Sequence, residues 1–131
     1  MRALVVDDSR AMRKIIAGAL RKLGYETVEA ADGALALAAL QEGPLPDLAT
    51  VDWNMPVMDG LTFVTQVRAN REYRAMTMMM VTTEAEHGQI VRALAAGAHE
   101  YLIKPFTVDA LEDKLALLGL LPEVSQALPR N

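Results

Sequence analysis

The 131-residue chain has no cysteine, two histidines and only 5% aromatic residues. The missing thiols exclude disulfides and thiol catalysis, and make a reducing cytoplasm the expected location. His87 and His99 have no metal-ligand spacing with any partner and are expected at solvated helix or loop positions. No window approaches the ~20 apolar residues of a membrane span, and the apolar run from Ala3 to Val6 is too short for a secretory leader, so no membrane insertion is expected. Neither sign of charge dominates: 13 Lys and Arg stand against 17 Asp and Glu, for a net charge of −4 with no block of like charge. That balance argues against direct nucleic-acid contact, which needs clustered Lys and Arg. A nucleotide-hydrolysing loop of the form G-x-x-x-x-G-K-[ST] is also missing.

What is present is an alternation. Short runs of Val, Leu, Ile and Met switch with longer segments of helical period, and Gly, Pro, Asn or Asp marks each switch. The pattern predicts strands near 3–7, 26–30, 47–52, 77–82 and 100–103, and helices near 9–23, 33–41, 60–70, 86–97 and 107–120. Met12, Ile15, Ile16, Ala19 and Leu23 form one buried helical stripe, Leu61, Val64 and Val67 a second, and Leu111, Leu115 and Leu118 a third. Gly24 and Gly97 sit where helices should stop. "ALVVD" and "MTMMMVT" are apolar on both faces, as in a parallel sheet covered by helices on each side. The methionines at 76, 78, 79 and 80 read as filling of a central strand. The expected fold class is α/β, a doubly wound parallel sheet of five strands with five helices, as one domain over residues 1–121. Residues 122–131, "PEVSQALPRN", are either a frayed tail or the start of a linker.

In such a sheet, ligands bind outside the carboxyl ends of the strands. The first strand ends in the adjacent acids Asp7 and Asp8, the third in "VDWNMPVMDG" with Asp52, the fourth in "VTTEA" with Thr82, and the fifth in "YLIKPF" with Lys104. Like charges ~4 Å apart repel by about 1 kcal/mol in water and about 4 kcal/mol at a surface-like dielectric. Three carboxylates on one rim therefore call for a hard divalent cation. Mg²⁺ fits, with Mn²⁺ as a substitute, because it takes oxygen ligands, keeps waters and shares its shell with phosphate. Lys104 can neutralise a phosphoryl oxygen, Thr82 can donate to one, and Asp52 can accept a phosphoryl group covalently. Ser9 is the better cap for the first helix, though Asp7 or Asp8 can assist.

"VVDDSRAMR", "VDWNMPVMDG", "VTTEA" and "YLIKPF" together resemble the motifs of the two-component response-regulator receiver domain, across residues 1 to about 120. Trp53, Asn54, Glu84 and Tyr101 also fit the local pattern of its stand-alone chemotaxis members. The resemblance implies a flavodoxin-like sheet of order 2-1-3-4-5. It implies that Asp52 takes a phosphoryl group from a phosphohistidine of a sensor histidine kinase. Asp8, Asp52 and the backbone carbonyl of Asn54 would hold Mg²⁺, with Asp7 acting mainly through water. Lys104 would hold phosphoryl oxygens and join Pro105 through a cis peptide. Thr82 would move toward the phosphoryl group and Tyr101 would turn inward, changing the surface of the fourth helix, fifth strand and fifth helix that a protein target reads. Asn54 and Glu84 would flank the hydrolytic water and set phosphoryl lifetime. A phosphatase would be a further partner, and the protein would be a signalling switch rather than an enzyme. Trp53 is expected as a partly exposed wall beside the acceptor.

Rival readings meet specific obstacles. A haloacid-dehalogenase type phosphatase needs a second acid two residues after its nucleophile, yet Ser9 follows Asp7 at that spacing and Asn54 follows Asp52. A phosphorylation-independent scaffold would be favoured by loss of the acids, Thr82 or Lys104, and all are present. The receiver half of a DNA-binding regulator is the third alternative.

Overall fold

The computed structural model describes residues 1–122, and the remaining tail residues, 123–131, lie outside the described residues. Strands and helices alternate: β1 (Arg2–Val6), α1 (Arg10–Lys22), β2 (Glu26–Ala30), α2 (Gly33–Glu42), β3 (Leu48–Val51), α3 (Gly60–Ala69), β4 (Thr77–Thr82), α4 (His87–Ala96), β5 (Glu100–Ile103) and α5 (Val108–Leu117). A 3₁₀ turn, Arg71–Tyr73, links α3 to β4. All neighbouring strands pair in parallel, in the order β2-β1-β3-β4-β5. The chain leaves β1 toward β2 on one side and returns as β3 on the other, so the strand order reverses between β1 and β3. That reversal opens a crevice at the carboxyl ends of these two strands.

The inner strands β1, β3 and β4 are buried on both faces because each face has a helical layer to bury against, whereas the edge strand β2 carries Glu26 and Glu29. On one side Leu4, Val6, Val51, Met78 and Met80 pack with Phe63, Val64 and Val67 of α3. On the other, Val5, Leu48, Met79 and Val81 pack with Ile16 and Leu20 of α1 and with Leu111 and Leu115 of α5. Fully burying such a side chain is worth about 1.5–3 kcal/mol, so the two layers clamp the sheet from both sides. The four methionines at 76, 78, 79 and 80 are fully buried, filling the central strand and its approach.

Ile15 departs from its expected place. It is 57% exposed, because the face that meets the sheet runs through Ile16, Ala19, Leu20 and Leu23, and Ile15 stands about 100° around the helix from Ile16. Four helices begin on a side-chain cap, at Ser9, Asp32, Asp59 and Thr107, each accepting an amide of the first turn. The fifth, α4, begins at Glu86 with no such bond.

Candidate functional site

The ladder carries each candidate side chain to its position. Beyond the strands proper, the amide of Asp7 donates to Ala30 O (3.1 Å), that of Asp52 to Val6 O (2.9 Å) and that of Lys104 to Thr82 O (2.9 Å). These bonds extend the pairing by one residue and bring three charged groups level at the carboxyl edge. Lys104 Nζ lies 2.6 Å from Asp7 Oδ2 and 3.6 Å from Asp52 Oδ2. One carboxylate oxygen from each of Asp7, Asp8 and Asp52 lies within 4.8 Å of the others. Asp7 is buried, Asp52 is 9% exposed, and Asp8 faces solvent.

Three carboxylates against one ammonium leave a net charge of −2 at the crevice. This donor set of hard oxygens, part buried and part open to water, fits a divalent cation such as Mg²⁺. The open side is Asp8; the buried side is shared with Lys104.

Asp52 is gripped at both oxygens. Oδ1 accepts the amide of Trp53 at 2.8 Å, and Oδ2 faces Lys104. Burial pushes its carboxyl above the ordinary range, and Asp7 adds to the rise, against the downward pull of Lys104, the Thr82 hydroxyl and the Trp53 amide. Below Asp52 on the same face of β3 is Thr50, whose hydroxyl is buried and has no partner among the described residues.

The loops after β3 and β4 close over this group. Asn54 Nδ2 donates to Glu84 Oε2 at 2.6 Å, and the Glu84 amide donates to Thr82 Oγ1 at 3.3 Å. Tyr101 is buried, its hydroxyl donating to Glu84 O at 2.7 Å, so it occupies the inward position in this structure. Burial raises its phenol, with Glu84 and Asp52 contributing. The Lys104–Pro105 peptide is cis.

One sequence expectation changes here. Trp53 is 7% exposed and belongs to the core layer shared with α3, because successive strand residues point to opposite faces and Asp52 takes the face toward the crevice. His99 stands at an exposed loop position as expected, and there its Nδ1 accepts the amide of Met78 at 3.1 Å while its own amide donates to Met78 O at 2.8 Å. His87 is exposed as expected.

Other contributors carried signals too faint to single out. Arg13 Nη1 donates to Asp7 O at 2.8 Å while its Nε pairs with Glu29, fixing the backbone beneath the acid. Gly60 lets α3 start against the acceptor: a Cβ there would stand 2.1 Å from Asp52 O, and the Gly60 amide donates to Trp53 O. The D-G pair at 59 and 60 was the visible trace of this approach. Val57 sits at φ 69° in a γ-turn closed by the Met58 amide on Pro56 O at 2.7 Å, and is 84% exposed. Nothing in its residue type announces that conformation, which is strained for a β-branched side chain.

The sequence matches the model of the response regulator receiver domain over residues 3–116. It is 42% identical over 119 residues to chemotaxis protein CheY1 of Helicobacter pylori, covering 90% of this chain and 96% of that one. The fold superposes on the chemotaxis response regulator CheY4 of Vibrio cholerae with a TM-score of 0.82 at 38% identity, covering 89% and 97% of the two chains. It is also similar to the receiver domain of sensor histidine kinase PA1611 from Pseudomonas aeruginosa, solved with a magnesium ion coordinated in its active-site cleft, at a TM-score of 0.80, 30% identity and coverage of 88% and 94%. With its carboxylates, hydroxyl and ammonium gathered at the switch point of a 2-1-3-4-5 sheet, this chain belongs to the response regulator receiver domain family.

Proposed function

We propose that this protein is a cytoplasmic single-domain response regulator, switched by Mg²⁺-dependent phosphorylation of Asp52 from a histidine kinase and relaying that signal to a protein target in chemotaxis. The observation that carries the reading is the placement of Asp52 between a cation and two further acids: Lys104 Nζ 3.6 Å away, and oxygens of Asp7 and Asp8 within 4.8 Å. Similarity to chemotaxis regulators over almost their whole length supports the pathway.

In the reaction, a carboxylate oxygen of Asp52 attacks the phosphorus of a phosphohistidine, an acyl phosphate bond forms, and the phosphorus–nitrogen bond breaks with the electron pair returning to the imidazole. Lys104 receives one phosphoryl oxygen, and the Thr82 hydroxyl donates to another. Asp7, Asp8, Asp52 and the backbone carbonyl of Asn54 would hold Mg²⁺, which when bound supplies positive charge for the phosphoryl oxygens. The Asn54 to Glu84 bond lies across the loops that a hydrolytic water must pass, so these two residues govern phosphoryl lifetime. Thr82 and Tyr101 both bond to the backbone of Glu84, which links the acceptor to the surface of α4, β5 and α5 where a target, or a phosphatase, would dock.

Intact-protein mass after incubation with acetyl phosphate tests this, with and without Mg²⁺, on the wild type and on Asp52→Asn. A gain of one phosphoryl group is expected only when both Mg²⁺ and Asp52 are present. No gain on folded wild-type protein would replace this reading with a phosphorylation-independent scaffold.

A further inference from the structure

The least firmly held helix of the fold is α4. Its first turn lacks the side-chain cap that the other four helices have. Ala93 is its one buried residue, and Val91 and Leu94 stand 48% and 43% exposed. Among the described residues, and beyond the loop that precedes it, one polar contact reaches from α4 to the acceptor segment. The guanidinium carbon of Arg92 lies 5.9 Å from the centroid of the Trp53 ring.

Arg92 has no carboxylate within ion-pairing distance among the described residues. The face of the indole is therefore its counterpart, through attraction of a cation to the negative face of the ring. Trp53 in turn is bonded directly to the acceptor, its amide donating to Asp52 Oδ1 and its carbonyl accepting the amide of Gly60. Trp53 thus stands between the Asp52 carboxylate, through its backbone amide, and Arg92, through its buried ring. Glu84 forms a second link at the other end of the helix, holding Asn54 and Tyr101.

We infer that Arg92 is a positioning residue that ties α4 to the acceptor segment through Trp53, so that the placement of α4 follows the state of Asp52. The inference rests on the phosphorylation reading above. A cation on an indole face is strong enough to change the ratio of two α4 arrangements by about two- to fivefold.

The test is amide hydrogen exchange of the α4 segment in the wild type, Arg92→Gln and Arg92→Lys, before and after acetyl phosphate with Mg²⁺, with intact mass read on the same samples. Arg92→Gln keeps length and loses the cation; Arg92→Lys keeps the cation. The change in α4 exchange on phosphorylation is expected to shrink about two- to fivefold in Arg92→Gln and to recover in Arg92→Lys, with phosphoryl gain equal in all three. A role confined to stability would alter exchange equally in both states and leave that difference intact. Equal phosphoryl gain with an unaltered difference in Arg92→Gln overturns this inference alone. Absence of phosphoryl gain in the wild type overturns the phosphorylation reading and this inference with it.

Discussion

The two rims of the sheet solve the same chain-geometry problem in opposite ways. At the carboxyl rim, β1, β3 and β5 run on into Asp7, Asp52 and Lys104, whose charges are carried inward and matched against one another. At the amino rim, before β4 and β5, polar groups are spent on local closure: His99 Nδ1 caps the amide of Met78, and Arg68 lies over Gly97 while donating to the carbonyls of Arg74 and Met76. There Gly97 is required, because it sits at φ 125° and a Cβ would stand 2.7 Å from the Arg68 side chain. One rim holds an excess of negative charge with partial compensation; the other is assembled from neutral acceptors and a guanidinium on carbonyls. Burial of unbalanced charge marks the carboxyl rim as the candidate site, and local hydrogen bonding to the backbone marks the amino rim as the one that holds the fold.

Breaking the compensation at the carboxyl rim should have the largest effect. Lys104→Met leaves Asp7, 1% exposed, and Asp52 without their ammonium. Removing one partner of a buried ion pair costs about 3 kcal/mol, read as a fall in urea-unfolding free energy. Added Mg²⁺ should restore more stability to this variant than to the wild type. A loss under ~1 kcal/mol would place the pair among weak surface bridges.

Asp52→Asn should act in the opposite direction, adding about 1 kcal/mol at neutral pH by relieving repulsion within the acidic group. The sign with pH follows from the raised Asp52 carboxyl. The folded state takes up this proton at a higher pH than the unfolded chain. The group therefore adds stability as pH falls from neutrality through its raised value toward the ordinary carboxylate range. Asp52→Asn should lose that portion of the pH dependence, and a variant less stable than the wild type would show that Asp52 is structurally paired.

A smaller gain, about 1 kcal/mol or less, is expected from Val57→Asn, because Asn tolerates the left-handed φ of 69° that a β-branched residue resists. Unchanged thermal stability would mean that the loop adapts at no cost.

The smallest effect belongs to the amino rim. Partial desolvation of its ring, with Arg68 nearby, lowers the His99 imidazole below its ordinary value of 6.5, against the bond from the Met78 amide. A base lowered in the folded state contributes stability that is present above that value and is lost as pH falls through the lowered one. His99→Asn should flatten the stability profile below pH 6.5 while leaving phosphoryl gain untouched. A profile identical to the wild type would remove His99 from the account of the amino rim.

Legibility differed between these regions for a physical reason. Strand positions and both-sided burial could be read because hydrophobic period is a local property: β2 and β4 stand at 26–30 and 77–82, as the pattern predicts. Asp7, Asp52 and Lys104 could be named because each terminates an apolar run, and the parallel fold aligns such ends. Ile15 and Ile16 are indistinguishable in the pattern because both are apolar, and only contact with the sheet selects which of them faces it. The burial of Trp53, two residues past β3, follows from packing in the layer that holds α3 rather than from residue type. Arg92 on Trp53 joins two elements distant in sequence, and no period or motif connects them.

Local sequence sets the alternation of strands and helices, the apolar layers, the helix cap at Ser9 and the residue types at the strand ends. Each depends on residues within a turn or a few positions of one another. It takes the packed fold to make Lys104 share its charge between Asp7 and Asp52, to hold Tyr101 inward on Glu84, to put Val57 at positive φ and to close the amino rim with His99. These depend on distances between strands that pair across the crevice, which are set when two helical layers close on one sheet.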